Sequence, residues 1–215
     1  MDLYFSPLAC SMATRVALYE AGAPARYIEV DSKSKRTLDG DDFLALNPLG
    51  LVPVLRTDNL ELLTESSAIL QHVARLFPDA QLAPTDELGL ARLQQWLCFI
   101  AAELHKGLFA PLLDSKAPEV VKSYTRDKYL SRTFGLLDDY LEDREFLLDS
   151  FSVADAYLVA VLGWAAATAI DLATWPALAA YVKRLHARPS IARALSEERA
   201  LYVREKARSQ QASSR

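Results

Sequence analysis

The run from Asn47 to Leu70, NPLGLVPVLRTDNLELLTESSAIL, holds three elements in a row. Residues 51–56 and 60–63 read as two short strands, with Thr57-Asp58-Asn59 between them as the turn of a hairpin. From Ser66 the period changes, and Ile69, Val73 and Leu76 share one helical face until Phe77-Pro78 stops it. Pro53 stands inside the first strand, where it removes an amide and is normally excluded from central positions. A cis Val52-Pro53 bond would turn the amide and carbonyl of Val52 outward, ready to pair with an extended ligand. Most X-Pro bonds are trans, and the residues alone favour trans here.

Upstream of this stretch, residues 3–5 form a short apolar strand and residues 11–21 a helix stopped by Gly22 and Pro24. Ile28 and Val30 alternate with Glu29 as a further strand, which makes a βαβ unit. The order is then β-α-β, a polar irregular stretch, and β-β-α, the order of a thioredoxin fold. Everything after Pro84 looks helical instead. Leu93, Leu97, Ile100, Leu104 and Leu108 recur at helical spacing behind Asp86 as N-cap, and a second helix covers residues 119–141. FSVADAYL (151–158) starts another, with Ser152 as cap and Asp155 reaching back to it in a capping box. Two more follow Trp175-Pro176 and Pro189. The fold class is therefore α/β plus all-α: residues 1–80 as a thioredoxin-like domain, 86–201 as an all-helical domain, and 202–215 as a frayed tail of basic, Ser and Gln residues.

Composition narrows the function. With 51% hydrophobic and 24% charged residues, the chain of 215 residues reads as an ordinary globular protein. A formal charge of −4 gives no attraction to phosphate backbones or anionic lipid, so neither nucleic acid nor a membrane surface is an expected partner. Residues 156–170 are uncharged, but these 15 residues fall short of the roughly 20 that span a bilayer; a buried helix is expected there. The two cysteines, Cys10 and Cys98, lack metal-ligand or disulfide spacing, so no metal is expected and a reducing, cytoplasmic setting fits.

Three places can carry chemistry. Cys10 lies just before a helix, whose unpartnered first amides and aligned dipole favour an anion. Such positions can lower a thiol pKa from about 8.5 into the range of about 3.5–7.5, with Ser11 as a further donor. A small buried apolar residue is the alternative reading of Cys10. Glu65 and Ser66 stand at the start of another helix, where the Ser66 amide and hydroxyl suit a carboxylate and Glu65 an ammonium group, the two ends of an amino acid. They also suit a plain N-cap with a dipole-favourable acid. His105 follows Cys98 by seven residues, about two turns along one face, and reads as a base, a donor or a surface histidine.

Taken in order, SPLACS, NPLGLVPVL, TESSAIL, ELHK and FSVADAYL resemble the glutathione S-transferases, the bacterial beta class in particular, and the resemblance runs to about residue 200. It implies a cis Pro53, glutathione as co-substrate, and a homodimer with the active site near the subunit interface. By matching motif, Cys10 faces the glutathione sulfur, Val52 pairs with its cysteinyl backbone, Glu65 and Ser66 hold its γ-glutamyl end, and Lys35 neutralises its glycyl carboxylate. His105 is similar to a histidine near the sulfur, while Glu103 and Lys106 contribute at or across the interface. Leu8, Phe109 and Trp164 are the candidates for the apolar substrate side. The implied activity is conjugation of the glutathione thiolate to small electrophilic, apolar molecules, a detoxification chemistry. The alternatives are glutaredoxin-like thiol-disulfide exchange through Cys10 and a non-catalytic carrier of apolar ligands. Two positions depart from the family pattern: Cys98 stands where asparagine is common, and Leu8 where glycine is frequent.

Overall fold

The structure, a computed structural model, describes residues 1–213. Strand β1 (Asp2–Phe5) leads through α1 (Ser11–Glu20) to β2 (Arg26–Glu29), which pairs with β1 in parallel, Leu3 opposite Tyr27. Strand β3 (Val54–Arg56) runs antiparallel to β1, Leu3 opposite Leu55, and β4 (Leu62–Thr64) antiparallel to β3. The sheet order is β2-β1-β3-β4, followed by α2 (Ser66–Leu76). This is the thioredoxin-like order that the sequence predicts. Strand β3 begins only at Val54 because Pro53 has no amide for the ladder, and the Val52-Pro53 bond is cis, as the family resemblance implies and against the expectation from the residues alone.

Both faces of this sheet are covered. Helices α1 and α2 pack together and bury Val16, Leu18, Ile69, Leu70 and Val73. On the other face Tyr4, Val30, Phe43 and Val54 form a cluster, against which Ile28, Leu46 and Val52 pack. Phe43 is fully buried, which stabilises the fold by about 1.5–3 kcal/mol and pins an otherwise polar segment to the sheet.

The helical unit opens with α3 (Glu87–Phe99), capped by the Asp86 carboxylate on the Gly89 amide at 2.8 Å. It continues as a π-helical segment, Ile100–Phe109, into α4 (Ala110–Leu113). This run of 27 residues has the length and apolarity to cross a bilayer, yet Leu93, Leu97, Ile100, Leu104 and Leu108 along it are all buried, so its apolar side is spent on the unit's own core. Helix α5 (Glu119–Thr125), a π turn and α6 (Ser131–Leu141) come next, then α7 (Val153–Leu162) and α8 (Pro176–His186). All ten residues of α7 are buried. The apolar run 156–170 is thus only partly one helix, because the chain turns at Gly163 and resumes as a 3-10 turn at Ala166–Thr168.

The last helix, α9 (Pro189–Ser213), changes the expected domain limits. The two compact units are Met1–Ala80 together with the segment from Pro189 onward, and Gln81–Arg188. The sequence reading puts the end of the helical domain at residue 201, but α9 packs on α1 with Ile191, Ala194, Leu195 and Glu198 buried. Nor is there fraying from Tyr202: the helix runs on to Ser213, and its Arg208 pairs with the buried Glu29 of β2. The final two residues of that expected tail lie outside the described residues.

Candidate active site

In the thioredoxin-like unit the structure brings Cys10 and Val52 together. Cys10 immediately precedes α1 and makes no side-chain cap to its amides; its Sγ instead donates to the Val52 carbonyl at 3.3 Å. The thiol is 7% exposed. Lys35 reaches the same loop from the other side, its ammonium donating to the Gly50 carbonyl at 2.9 Å. Gly50 has a φ of +61°, and a Cβ there would meet the Leu44 side chain at 3.0 Å and that of Lys35 at 3.2 Å, so a side chain would both strain the loop and push Lys35 away. Asn47, buried, fixes this loop further by donating to the Leu51 carbonyl at 2.8 Å and accepting from the Leu49 amide at 3.2 Å. Sequence reasoning passes over Asn47, although Asn before Pro is itself a turn signal.

Glu65 occupies the N-cap position of α2 and is exposed, while Ser66 is the first helical residue and is buried. Leu8, Lys35 and Glu65 have φ values of 58°, 56° and 67°. Non-glycine residues in that region cost on the order of 1–3 kcal/mol each and concentrate at functional sites. Three of the six such residues among those described are therefore candidates chosen from sequence for another reason.

Two candidates turn out to serve structure. The Ser11 hydroxyl is fully buried and donates to the Ser6 carbonyl at 3.3 Å, bracing the turn before Cys10 rather than facing a ligand sulfur. Phe109, also fully buried, packs its ring at 5.8 Å from Trp164 and 6.3 Å from Phe134, so it backs Trp164 instead of lining an apolar surface. Glu103 forms an ion pair with Arg132 of its own unit. The Lys106 side chain is exposed.

In the helical unit, His105 lies on the π-helical segment, a geometry frequent at functional sites. The wider π turn also means that its spacing from Cys98 is not two α-helical turns. Its Nδ1 is 2.8 Å from the Tyr157 hydroxyl, and its ring stands edge-on to Trp164 at 5.0 Å between centroids. Tyr157 lies in FSVADAYL, but nothing in its spacing marks it as a histidine partner. Burial, helped by the nearby Lys106 charge, pushes the imidazole down to about 4. At neutral pH the ring is therefore uncharged, able to hold or accept a proton but not to act as a cationic donor. An NMR titration of the full chain is expected to put the His105 midpoint near 4; a midpoint near 6.5 would show the ring to be hydrated. Because the folded value lies below the unfolded 6.5, the stability this group contributes is complete above pH 6.5 and lost as pH falls toward 4.

Two family models match the chain. The family described as Glutathione S-transferase, N-terminal domain, matches residues 9–76, and Glutathione S-transferase, C-terminal domain, matches residues 95–189. The chain belongs to the glutathione S-transferase family, and it is a glutathione transferase. It is 40% identical over 200 residues to glutathione S-transferase GstA of Escherichia coli O157:H7, across 92% of this chain and 98% of that one. The structure of the bacterial beta class glutathione S-transferase of Sphingomonas chungbukensis is 42% identical with a TM-score of 0.88, covering 92% of this chain and 98% of that chain. A sphingomonad glutathione S-transferase complexed with glutathione is 40% identical with the same TM-score and the same coverage. These similarities put the chain in the bacterial beta class.

Proposed function

We propose that the thioredoxin-like unit holds glutathione with its sulfur beside Cys10, and that the chain joins the tripeptide through this sulfur to small apolar electrophiles. The observation that carries the reading is the Cys10 thiol donating to the Val52 carbonyl. The residue that would pair with the tripeptide backbone and the thiol that would meet its sulfur thus share one spot. Glu65 and Ser66 suit the γ-glutamyl ammonium and carboxylate, and Lys35 suits the glycyl carboxylate. In the reaction the glutathione thiol loses its proton to solvent, the sulfur forms a bond to an electrophilic carbon, and the bond to the leaving group breaks as that group departs with the bonding pair. In the thioredoxin-like unit Leu8, partly exposed, is the apolar surface we assign to the electrophile. The likeness to beta-class enzymes supports a homodimer, a cytoplasmic setting and a detoxifying role, each open to direct check by sedimentation, fractionation and substrate screening.

The test uses the contrast between the two cysteines. Cys98 is exposed and Cys10 buried, so a disulfide reagent without recognition should react at Cys98 first. Oxidised glutathione is expected to modify Cys10 first by mass spectrometry, because binding delivers it there. Cys10→Ala should lose this modification yet keep part of the conjugation rate with an aromatic halide, since bound glutathione carries its own nucleophile. Preferential labelling of Cys98 would reduce Cys10 to a packing residue.

A further inference from the structure

The loop that presents Cys10 is held from the far end of the chain. The Leu8 amide donates to Glu198 Oε2 at 2.7 Å, and the other oxygen of that carboxylate accepts from Arg15 Nε at 2.9 Å. Both charged side chains are almost wholly buried, Arg15 at 3% exposure and Glu198 at 0%. The Arg15 guanidinium lies between the Phe5 and Tyr27 rings, 4.3 and 4.1 Å from their centroids, and also reaches the Tyr19 hydroxyl at 3.2 Å. The short segment between β1 and α1 is thereby fixed at both ends: at Phe5 by the guanidinium against its ring, and at Leu8 by the carboxylate. Leu8 is also in the left-handed region, with φ of 58°, where a branched side chain has no intrinsic reason to stay. Burial pushes the Glu198 carboxyl up to about 7 against the pull of Arg15 and the Leu8 amide, so those donors are what sustain its charge. A buried ion pair is weak evidence for stability by itself, and holding one conformation is a recognised use of such pairs.

We propose that Glu198, held by Arg15, is a positioning residue for catalysis: it keeps Leu8 in its left-handed conformation and so sets where Cys10 meets glutathione. The inference rests on the reading that Cys10 faces the glutathione sulfur. Substrate need not touch Glu198, and its effect passes through two residues of backbone.

The test uses full-length protein with three readouts: hydrogen exchange at the Leu8 amide without ligand, kcat and KM for glutathione, and thermal unfolding. Glu198→Ala is expected to speed Leu8 exchange at least tenfold and to lower kcat to the level of Cys10→Ala, while KM for glutathione changes less than threefold. Arg126→Ala, which removes a pair with the exposed Glu119 and a long hydrogen bond to the Thr168 carbonyl, all within the helical unit, should change neither Leu8 exchange nor kcat. In a Leu8→Gly background, which sets its own baseline because it removes the side chain assigned to the electrophile, adding Glu198→Ala should lower kcat by a smaller factor than it does in the wild type, because glycine holds a positive φ unaided; a defect of general stability would not be relieved this way. Should Glu198→Ala fail to fold, Glu198→Gln keeps the volume and an acceptor oxygen, and at least half of kcat and of Leu8 protection should survive. Folded Glu198→Ala with wild-type kcat would overturn the proposal, as would folded Glu198→Gln that loses both activity and protection. Leu8 exchange is read without glutathione, so it separates two failures. Full activity in Cys10→Ala sinks the Cys10 reading alone, whereas wild-type Leu8 exchange in Glu198→Ala sinks the relay alone.

Discussion

Asp155→Ala is expected to cost about 3–5 kcal/mol of folding stability. The Asp155 carboxylate is fully buried and accepts the Leu147 and Ser152 amides and the Ser152 hydroxyl at 2.9 Å each, and the Tyr181 hydroxyl at 2.7 Å. Alanine would strand four donors in an interior with no replacement acceptor, and each such group costs about 1–3 kcal/mol. The sum overstates the loss, because the Ser152 and Tyr181 hydroxyls can rotate toward other acceptors. It would also remove half of the capping box that starts α7, the helix whose every residue is buried. Urea unfolding should show a lower midpoint with an unchanged slope. A midpoint shift equivalent to under 1 kcal/mol would mean that water enters and replaces the carboxylate.

Ser66→Ala should weaken glutathione binding by about tenfold to a hundredfold, the equivalent of losing a hydrogen bond to a charged group worth about 1.5–3 kcal/mol. The hydroxyl stands on the first residue of α2, where it adds to the helix amides around a ligand carboxylate while those amides remain after substitution. Folding stability should change by less than the binding energy, which separates a ligand contact from a cap. Calorimetry that returns an unchanged affinity would remove Ser66 from the site, and a large unfolding shift with normal affinity would make it structural.

What the sequence discloses here is what local chemistry encodes. The 54–64 hairpin follows from alternation and its turn, and Asp86 and the Ser152/Asp155 pair announce the starts of α3 and α7, because a cap and its partners lie within three residues. The cis bond at Pro53 is not local in this sense: proline permits it, but only the surrounding fold selects it, and family resemblance supplies what the residues alone do not. Ser11 and Phe109 are misjudged for a related reason. Helical spacing places both on helices, yet the direction each side chain takes depends on Ser6 and on the Trp164 and Phe134 rings. Arg15 and Glu198 look like ordinary surface charges in isolation. Their burial becomes intelligible only when residues 183 apart meet. The tail is a similar case: low apolarity from Tyr202 onward suggests fraying, and its helix gains a partner for Arg208 in Glu29, 179 positions earlier.

The first compact unit is interrupted in sequence, since Met1–Ala80 is completed by residues from Pro189 onward. A ribosome therefore releases the four-stranded sheet well before it releases the helix that neutralises Arg15. At about 5–20 residues per second, the wait for the intervening 108 residues is roughly 5–20 seconds. Throughout that interval Arg15 has no Glu198, and the Leu8 loop has no distant carboxylate to hold it. The nascent unit can form its sheet and pack α1 on α2 early but must leave the side of α1 that α9 covers open to water until α9 emerges, so the thiol-bearing loop is among the later features of this unit to take shape.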